Sequence, residues 1–301
     1  MDSTMTQWHV QSKANTSSKH RPRAVKRLQT LLKLELADAL RSRWLAFTTI
    51  AYVIVFGAFI WFGLRESAVL GFTGLSRVVL NIAHAIVLVV PLMALIGTCQ
   101  AIVRARQTGL FELLLVQPCR RGEWFAALLG ARLSVLAGPL VLGLVGVAIA
   151  GLVRGGEPGL LFMIGRSLSV SLALLWCFVG IGLWISAAAR TPERATVLSL
   201  AAWLVSAALH DFAIIGVLLR AHVPTWLVFG LATSNPVQAA RVAVLTGVDP
   251  ELSVLGPVGF WIANTLGQTG ALLVGVGWPL VLGTLALWLA RRAVAKADLV
   301  G

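Results

Sequence analysis

Long apolar runs separated by short polar stretches make up most of the chain. A helix needs roughly 20 predominantly apolar residues to cross a bilayer, and several of these runs reach that length. The pattern therefore predicts an all-α membrane protein with six transmembrane helices. They are expected at about residues 44–64, 78–103, 125–153, 161–189, 195–219 and 269–290.

Two different kinds of sequence precede the first apolar run. Residues 1–23 contain little that a core could bury, so we expect a disordered basic extension there. Within residues 24–43, apolar side chains recur at helical spacing, while Lys33, Glu35 and Arg41 take other faces. This pattern predicts an interfacial amphipathic helix whose cations suit anionic headgroups. A short soluble helix is the alternative, disfavoured because a membrane span follows without a linker.

The composition supports the membrane assignment. Hydrophobic residues form 58% of the chain and charged residues 12%, against about 25% charged in an average soluble domain. Three cysteines without a CxxC pair argue against a disulfide framework or a zinc knuckle. About 43 mostly polar residues come before the first apolar run, so no secretory signal peptide is expected. An organellar transit peptide stays open, because residues 1–30 are rich in Ser, Thr and Arg.

The distribution of positive charge predicts the topology. A net charge of +13 would favour nucleic acid as the partner of a soluble protein, but here nineteen of the 25 lysines and arginines fall on one predicted side. That side comprises the N-terminal region, residues 104–124, residues 190–194, Arg132 and the basic tail 291–301. By the positive-inside rule both termini are cytoplasmic and residues 220–268 are extracytoplasmic. The lipid membrane is the expected partner, and nucleic acid is not.

The main polar interruption in the middle of the chain is residues 104–124, RARQTGLFELLLVQPCRRGEW. Arginines at both ends flank an apolar patch at residues 110–115. Gly109 can end or begin a helix, and Pro118 ends one. One interpretation is a helical hairpin at the cytoplasmic surface whose apolar patch docks onto a partner. The other is a solvated loop whose arginines only set the topology.

Residues 220–268 mix Pro, Gly, Asn and Trp with short apolar stretches. Nearly fifty residues of plain loop would be unusual, so we expect short helices lying on the membrane or dipping into it. Asn235 and Pro236 predict one helix start, with the helix continuing to Leu245. Pro192 is likewise placed to start a helix after a tight turn.

Several chemistries have no matching motif. The sequence contains no GxxxxGK[ST], HExxH, GxSxG or GxGxxG, so this chain is not expected to bind or hydrolyse a nucleotide or to hold a cofactor. Histidine and cysteine are suitable ligands for copper. No two of them share a spacing that would place both on one helix face, and no metal site is predicted.

Three polar residues within apolar runs are candidates for function: His84, His210 and Asp211. An ionisable side chain at membrane depth is a functional hypothesis by default. The preferred interpretation is structural, because the His210–Asp211 pair falls near the end of its span. There it can be solvated or pair with an arginine such as Arg220, while His84 can form a hydrogen bond between helices.

Together, these features resemble the ABC-2 type permease family. The resemblance includes the amphipathic elbow helix, six spans and a cytoplasmic hairpin after the second span. The hairpin sequence is similar to the family's "G-T-L-E-x-L-L-x-x-P" stretch. Ala105, Gln107 and Leu110 depart from the family pattern, in which acidic residues and Thr are frequent. The matching positions are Gly109, Glu112, Leu113, Leu114 and Pro118.

The resemblance implies a type V-like architecture and a non-catalytic subunit. It places the hairpin, flanked by Arg120 and Arg121, against a cytoplasmic ABC ATPase present in two copies, which would bind ATP and magnesium. It also implies a permease homodimer in the bacterial cytoplasmic (inner) membrane. A periplasmic accessory protein would meet residues 220–268 at Asn235, Pro236 and Arg241.

Two further stretches resemble one subgroup, the permeases of the copper-processing system that matures nitrous oxide reductase. They are residues 209–216, and residues 235–241 together with the turn at 247–249. The subgroup's work is either export of a sulfur species or a mechanical relay to a copper-handling partner. The alternatives are an ABC-2 exporter of a lipid, drug or polysaccharide and, less favoured, a secondary transporter or an intramembrane enzyme using His84, His210 and Asp211.

Overall fold

The structure, a computed structural model, describes most of the chain. Described are residues 29–41, 46–47, 49–54, 57–58, 74–109, 120–153, 159–220, 224–247 and 262–296. At residues 74–84, 215, 217–220 and 225 the description covers the backbone alone. Every regular element within these ranges is a helix and none is a strand, which agrees with the all-α prediction.

Ten helices in the described ranges are seven or more residues long. They are α1 (residues 29–41), α2 (Gly74–Thr98), α3 (Ala101–Gln107), α4 (Arg121–Val153), α5 (Leu160–Ala188), α6 (Pro192–Leu204), α7 (His210–Arg220), α8 (Thr225–Ser234), α9 (Pro236–Leu245) and α10 (Gly267–Lys296). A π-helical segment, Val205–Leu209, joins α6 to α7.

Five helical stretches in the described ranges are long and apolar enough to cross a membrane, which indicates a multi-pass membrane protein. The first predicted span, at about residues 44–64, lies mainly outside those ranges, although residues 49–54 are helical. The count of six therefore stays a prediction. The five stretches are Ala85–Gln107, Arg121–Val153, Leu160–Ala188, Pro192–Ile214 and Gly267–Lys296.

Helix α5 is the centre of the bundle. It packs against α10, α2 and α4, and side chains such as Leu174 and Phe178 are fully buried. Its approach to α10 depends on glycine, because a Cβ added at Gly283 would lie only 2.7 Å from the Cα of Cys177. Helix α6 is peripheral, and its exposed apolar side chains, such as Val197, suit contact with lipid.

Two helix starts lie where the sequence predicts them. The hydroxyl oxygen of Thr191 accepts a hydrogen bond from the Arg194 amide at 3.3 Å, and Pro192 begins α6. The Asn235 side-chain oxygen accepts from the Val237 amide at 2.9 Å, and Pro236 begins α9. Proline at the first helical position costs no hydrogen bond, because the amide of that residue would have no partner within the helix. The capping residue and the proline after it therefore specify each helix start together.

The predicted second span corresponds to the single stretch Ala85–Gln107, but its helix contains an interruption that the sequence analysis did not indicate. Helix α2 ends at Thr98, and α3 resumes at Ala101. Near this interruption the amides of Ile102 and Val103 donate to the Ser186 hydroxyl oxygen of α5, at 2.9 and 3.1 Å. A side chain that enters the backbone hydrogen-bond ladder is a recognised cause of helix distortion.

Two predicted boundaries shift, and one predicted span contains an unexpected segment. The third span begins at Arg121 rather than at about residue 125, and the last helix continues to Lys296 rather than ending near residue 290. The start of α4 and the end of α10 are in contact, because the Arg121 guanidinium donates a hydrogen bond to the Ala295 carbonyl at 3.0 Å. The predicted fifth span contains the π-helical segment, which the sequence pattern did not indicate.

Candidate functional site

Those residues singled out from the sequence whose side chains the structure describes fall at two ends of the bundle. At one end lies a polar cluster of α7–α9, comprising His210, Asp211, Asn235, Gln238 and Arg241. An Asp211 carboxylate oxygen lies 2.8 Å from the Arg241 guanidinium, and Gln238 donates to the other oxygen. Asp211 therefore pairs with Arg241, and the side chain of Arg220, the example named from the sequence, lies outside the described part.

His210 connects α7 with α8. Its Nε2 lies 3.0 Å from the Leu231 carbonyl oxygen, and a carbonyl can only accept, so Nε2 carries a proton. The side chain of His84 is outside the described part, and its predicted role stays a prediction. Among described residues, no three His, Cys, Asp or Glu side chains group as metal ligands would.

Asn235 ties the start of α9 to the π-helical segment. Its amide nitrogen donates to the Ser206 carbonyl at 2.5 Å, while its oxygen caps α9. Asn235 and Pro236 are both buried. Within this chain the two residues hold helices together, and Arg241 is the more accessible of the three residues predicted to meet an accessory protein. Contact with such a protein stays a prediction.

Arg166 is a residue whose role the sequence analysis missed. It lies near the start of α5 and is 5% exposed. Its Nε donates to the Ala243 carbonyl at 2.5 Å, and one terminal nitrogen donates to the Thr246 hydroxyl and, at 3.1 Å, to the Gln268 carbonyl. A cation at a helix C-terminus is favourable, so Arg166 fixes the end of α9 to α5 and α10. The signal in the sequence was a lone arginine six positions into an apolar run.

At the other end of the bundle, the structure describes the two flanks of the predicted hairpin. Gly109 has a φ of 71° and ends α3, as a glycine after a helix C-terminus commonly does. Arg120 is exposed, and Arg121 donates to the last turn of α10. The remaining predicted docking residues lie outside the described ranges: Glu112, Leu113, Leu114 and Pro118.

Both flanks of the hairpin are attached to the bundle. On the α3 side, Ser186 accepts from the backbone of α3, and the Gln100 amide donates to the Thr196 hydroxyl of α6 at 2.8 Å. On the α4 side, Arg121 holds α10. The described residues on either side of 110–119 are therefore held to α5, α6 and α10.

Between α1, α2, α3 and α4 lies a cavity of about 880 Å³, here called the α1–α4 cavity. Glu35 was predicted on a polar face of α1, but it lines this cavity and accepts a hydrogen bond from the Trp124 indole at 2.8 Å. Burial raises the pKa of Glu35, and the Trp124 hydrogen bond and the Arg132 charge only partly oppose this effect. The polar residues around the cavity are Glu35, Asp38, Arg41, Gln100, Arg104, Thr108, Trp124 and Arg132.

The apolar helices, with polar groups at both ends of the bundle, define a multi-pass membrane protein. The sequence model of the family described as "ABC-2 family transporter protein" matches residues 29–293. The chain belongs to the ABC-2 transporter family, as its sequence resemblance predicted.

Two relatives of known sequence are both described as a "Probable ABC transporter permease protein NosY". The protein of Stutzerimonas stutzeri is 28% identical over 235 residues, covering 75% of this chain and 84% of its own length. The protein of Pseudomonas aeruginosa is 29% identical over 225 residues, covering 73% and 82%. Permease components of ABC transporters are generally non-catalytic, and family membership implies a partner ATPase subunit.

Proposed function

We propose that this chain is the transmembrane permease subunit of an ABC transporter and acts in the maturation of nitrous oxide reductase. It would convert ATP hydrolysis by a separate ATPase into movement at the extracytoplasmic ends of its helices. The permease description of the two relatives supports this proposal, as do the subgroup stretches at residues 209–216 and 235–241.

The observation that carries the proposal is the position of α5 between both ends of the bundle. Ser186 of α5 contacts the backbone of α3, next to the predicted hairpin, and Arg166 of the same helix holds α9. Twenty residues of helix separate them, a distance of about 30 Å at 1.5 Å per residue. This is the thickness of the hydrocarbon core, so one rigid helix connects the docking end with the polar cluster of α7–α9.

The proposal includes an assembly that resembles a type V exporter. Two copies of this permease, each with six spans and cytoplasmic termini, would sit in a bacterial inner membrane. Two cytoplasmic ATPase copies would bind ATP and magnesium, while this chain would bind no cofactor itself. A periplasmic accessory protein would meet residues 220–268. In this division, residues 1–23 form the extension, 24–43 the elbow helix, 44–290 the membrane domain and 291–301 the tail.

The docking interface is tested by introducing a charge into the apolar patch of the hairpin. An apolar patch that enters a groove on the ATPase tolerates no buried charge, so Leu114→Glu is expected to lower ATPase co-purification at least about tenfold. Membrane insertion of the permease should be unchanged. Gln107→Glu is the matched control, because it adds the same charge at an exposed position of α3.

Three results would contradict the proposal. Unchanged ATPase co-purification with Leu114→Glu would remove the docking assignment. Nucleotide hydrolysis by the purified chain alone would make it an enzyme. Transport driven by an ion gradient without ATP would favour a secondary transporter.

A further inference from the structure

The α1–α4 cavity has the chemistry of a lipid-binding site. We propose that it binds the headgroup of a membrane phospholipid that carries phosphoethanolamine, with the acyl chains leaving along the apolar side of α1. This inference is independent of the proposed function, since it concerns a ligand of the chain itself.

The charged lining of the cavity matches a zwitterion. Arg41, Arg104 and Arg132 provide cations, and Glu35 and Asp38 provide carboxylates. Guanidinium groups bind phosphate oxygens in a fork geometry, and carboxylates accept hydrogen bonds from an ammonium group. A ligand with both a phosphate and an amine could satisfy the two sets together.

Two buried polar atoms at the cavity are without a hydrogen-bond partner among the described residues. They are the Nε of Arg132, a donor, and the side-chain oxygen of Gln100, an acceptor. Buried polar groups in folded proteins nearly always have partners. A phosphoethanolamine headgroup offers acceptors through its phosphate and donors through its ammonium.

The remaining lining and the surroundings indicate an amphiphile rather than a free ion. Leu34, Ile96 and Leu128 contribute apolar surface to the cavity. Leu34 and Leu40 of α1 are 63% and 58% exposed, as expected for a helix lying in the headgroup region. The volume of about 880 Å³ falls within the usual range of small-molecule sites, about 300–1,000 Å³, and has room for a headgroup with its glycerol.

The proposal is tested by native mass spectrometry of the full chain in detergent. The protein is equilibrated with equimolar dioleoyl phosphatidylethanolamine and dioleoyl phosphatidylglycerol, which share the phosphate but differ in the amine. We expect retained phosphatidylethanolamine to exceed retained phosphatidylglycerol about tenfold, because only the former can pair with the carboxylates. Soluble O-phosphoethanolamine, offered alone, should be retained far less because it lacks acyl chains.

Two exposed cavity residues, Asp38 and Arg41, separate the amine and phosphate contributions without altering a packed core. Asp38→Asn should remove most of the preference for phosphatidylethanolamine and leave phosphatidylglycerol retention unchanged. Arg41→Gln should lower the retention of both lipids. Arg194→Gln, the same charge change at an exposed position of α6 away from the cavity, should change neither.

Several outcomes would overturn the inference. One is that the wild-type protein retains the two lipids equally and that Asp38→Asn does not change their ratio. Another is that the protein retains no lipid. A third is that Arg41→Gln abolishes co-purification of the ATPase but does not change lipid retention. That result would identify the cavity as a protein-docking surface. None of these lipid measurements needs the ATPase, so their failure is distinguishable from failure of the proposed function.

Discussion

Arg166 shows how a charged side chain can be accommodated inside an apolar helix. A buried guanidinium is costly in a membrane unless its donors find acceptors. Arg166 donates to groups on α9 and α10, so its hydrogen bonds also position both helices. These acceptors lie at least 77 positions further along the chain. The spacing of residues in the sequence therefore carried no indication of them.

Replacing Arg166 is expected to loosen the end of α9. Arg166→Gln should lower the free energy of unfolding by about 3 kcal/mol, because buried carbonyls lose their donors. Arg166→Lys should restore little, since an ammonium group cannot reproduce the fork of donors. Thermal unfolding in detergent measures both effects, with Arg120→Gln as the exposed control. Equal melting temperatures for Arg166→Gln and Arg120→Gln would show that these contacts contribute no stability.

Glu35 should make stability depend on pH. Its pKa is raised above the ordinary 4.5 by burial, so the folded chain holds this proton more tightly than the unfolded chain. The contribution of Glu35 to stability is therefore greatest below pH 4.5, and this contribution falls as the pH rises from 4.5 through the raised pKa of the folded state. Glu35→Gln should remove this fall, whereas Glu193→Gln, at an exposed site, should retain it. If the melting temperatures of the wild type and of Glu35→Gln changed with pH in the same way between pH 4 and 8, this account would be contradicted.

At the scale of elements, the contact between α5 and α10 depends on the absence of a side chain at Gly283. An added methyl group there would lie 2.6 Å from a ring carbon of Trp176 and 2.7 Å from the Cα of Cys177. Gly277, which precedes Gly283 by less than two turns of α10, has open space around it. The same substitution at the two sites therefore separates packing from helix propensity.

Gly283→Ala is expected to destabilise the protein by about 1–3 kcal/mol, because a packed helix pair must separate. Gly277→Ala should be neutral or slightly stabilising, since alanine favours a helix more than glycine does. Thermal unfolding of the two variants under identical conditions provides the comparison. Similar melting temperatures would mean that the α5–α10 contact can relax without cost.

Local signals in the sequence predicted the starts of elements better than their interruptions. Pro192 and Asn235 specify helix starts through contacts within three residues, and both starts were predicted. The interruption after Thr98 depends on Ser186, more than eighty positions away. Glu35 likewise turns toward Trp124 through a contact between distant helices. Periodicity cannot reveal such contacts, because it reports only which face of a helix is apolar.

At the scale of the whole molecule, the proposed function requires the two polar ends to face opposite sides of the membrane. The positive-inside rule places α6's start on the cytoplasmic side and α8 on the outer side. Arg194 and Trp226 are exposed positions on these elements, and Trp226 is 61% exposed. Cys99 and Cys177 are buried and are not expected to react with a labelling reagent. A labelling experiment therefore needs only Cys119 to be replaced by serine.

In that background, Trp226→Cys should react with a membrane-impermeant maleimide in intact cells. Arg194→Cys should react only after the membrane is permeabilised. Both variants should label equally in detergent, which controls for reactivity. Labelling of Arg194→Cys in intact cells would reverse the topology, placing the hairpin outside and removing the coupling proposal.

The π-helical segment also determines which way the following residues point. A π turn bonds residue i to residue i+5 and thus contains one residue more than an α turn, and each residue advances a helix by about 100°. The extra residue between Val205 and Leu209 therefore rotates everything after it by roughly that angle relative to an unbroken α-helix. The residues that follow the segment directly include His210 and Asp211, which contact α8 and α9. In a relative lacking the extra residue, the equivalent carboxylate would leave the helix in a direction about 100° away and would need a different partner.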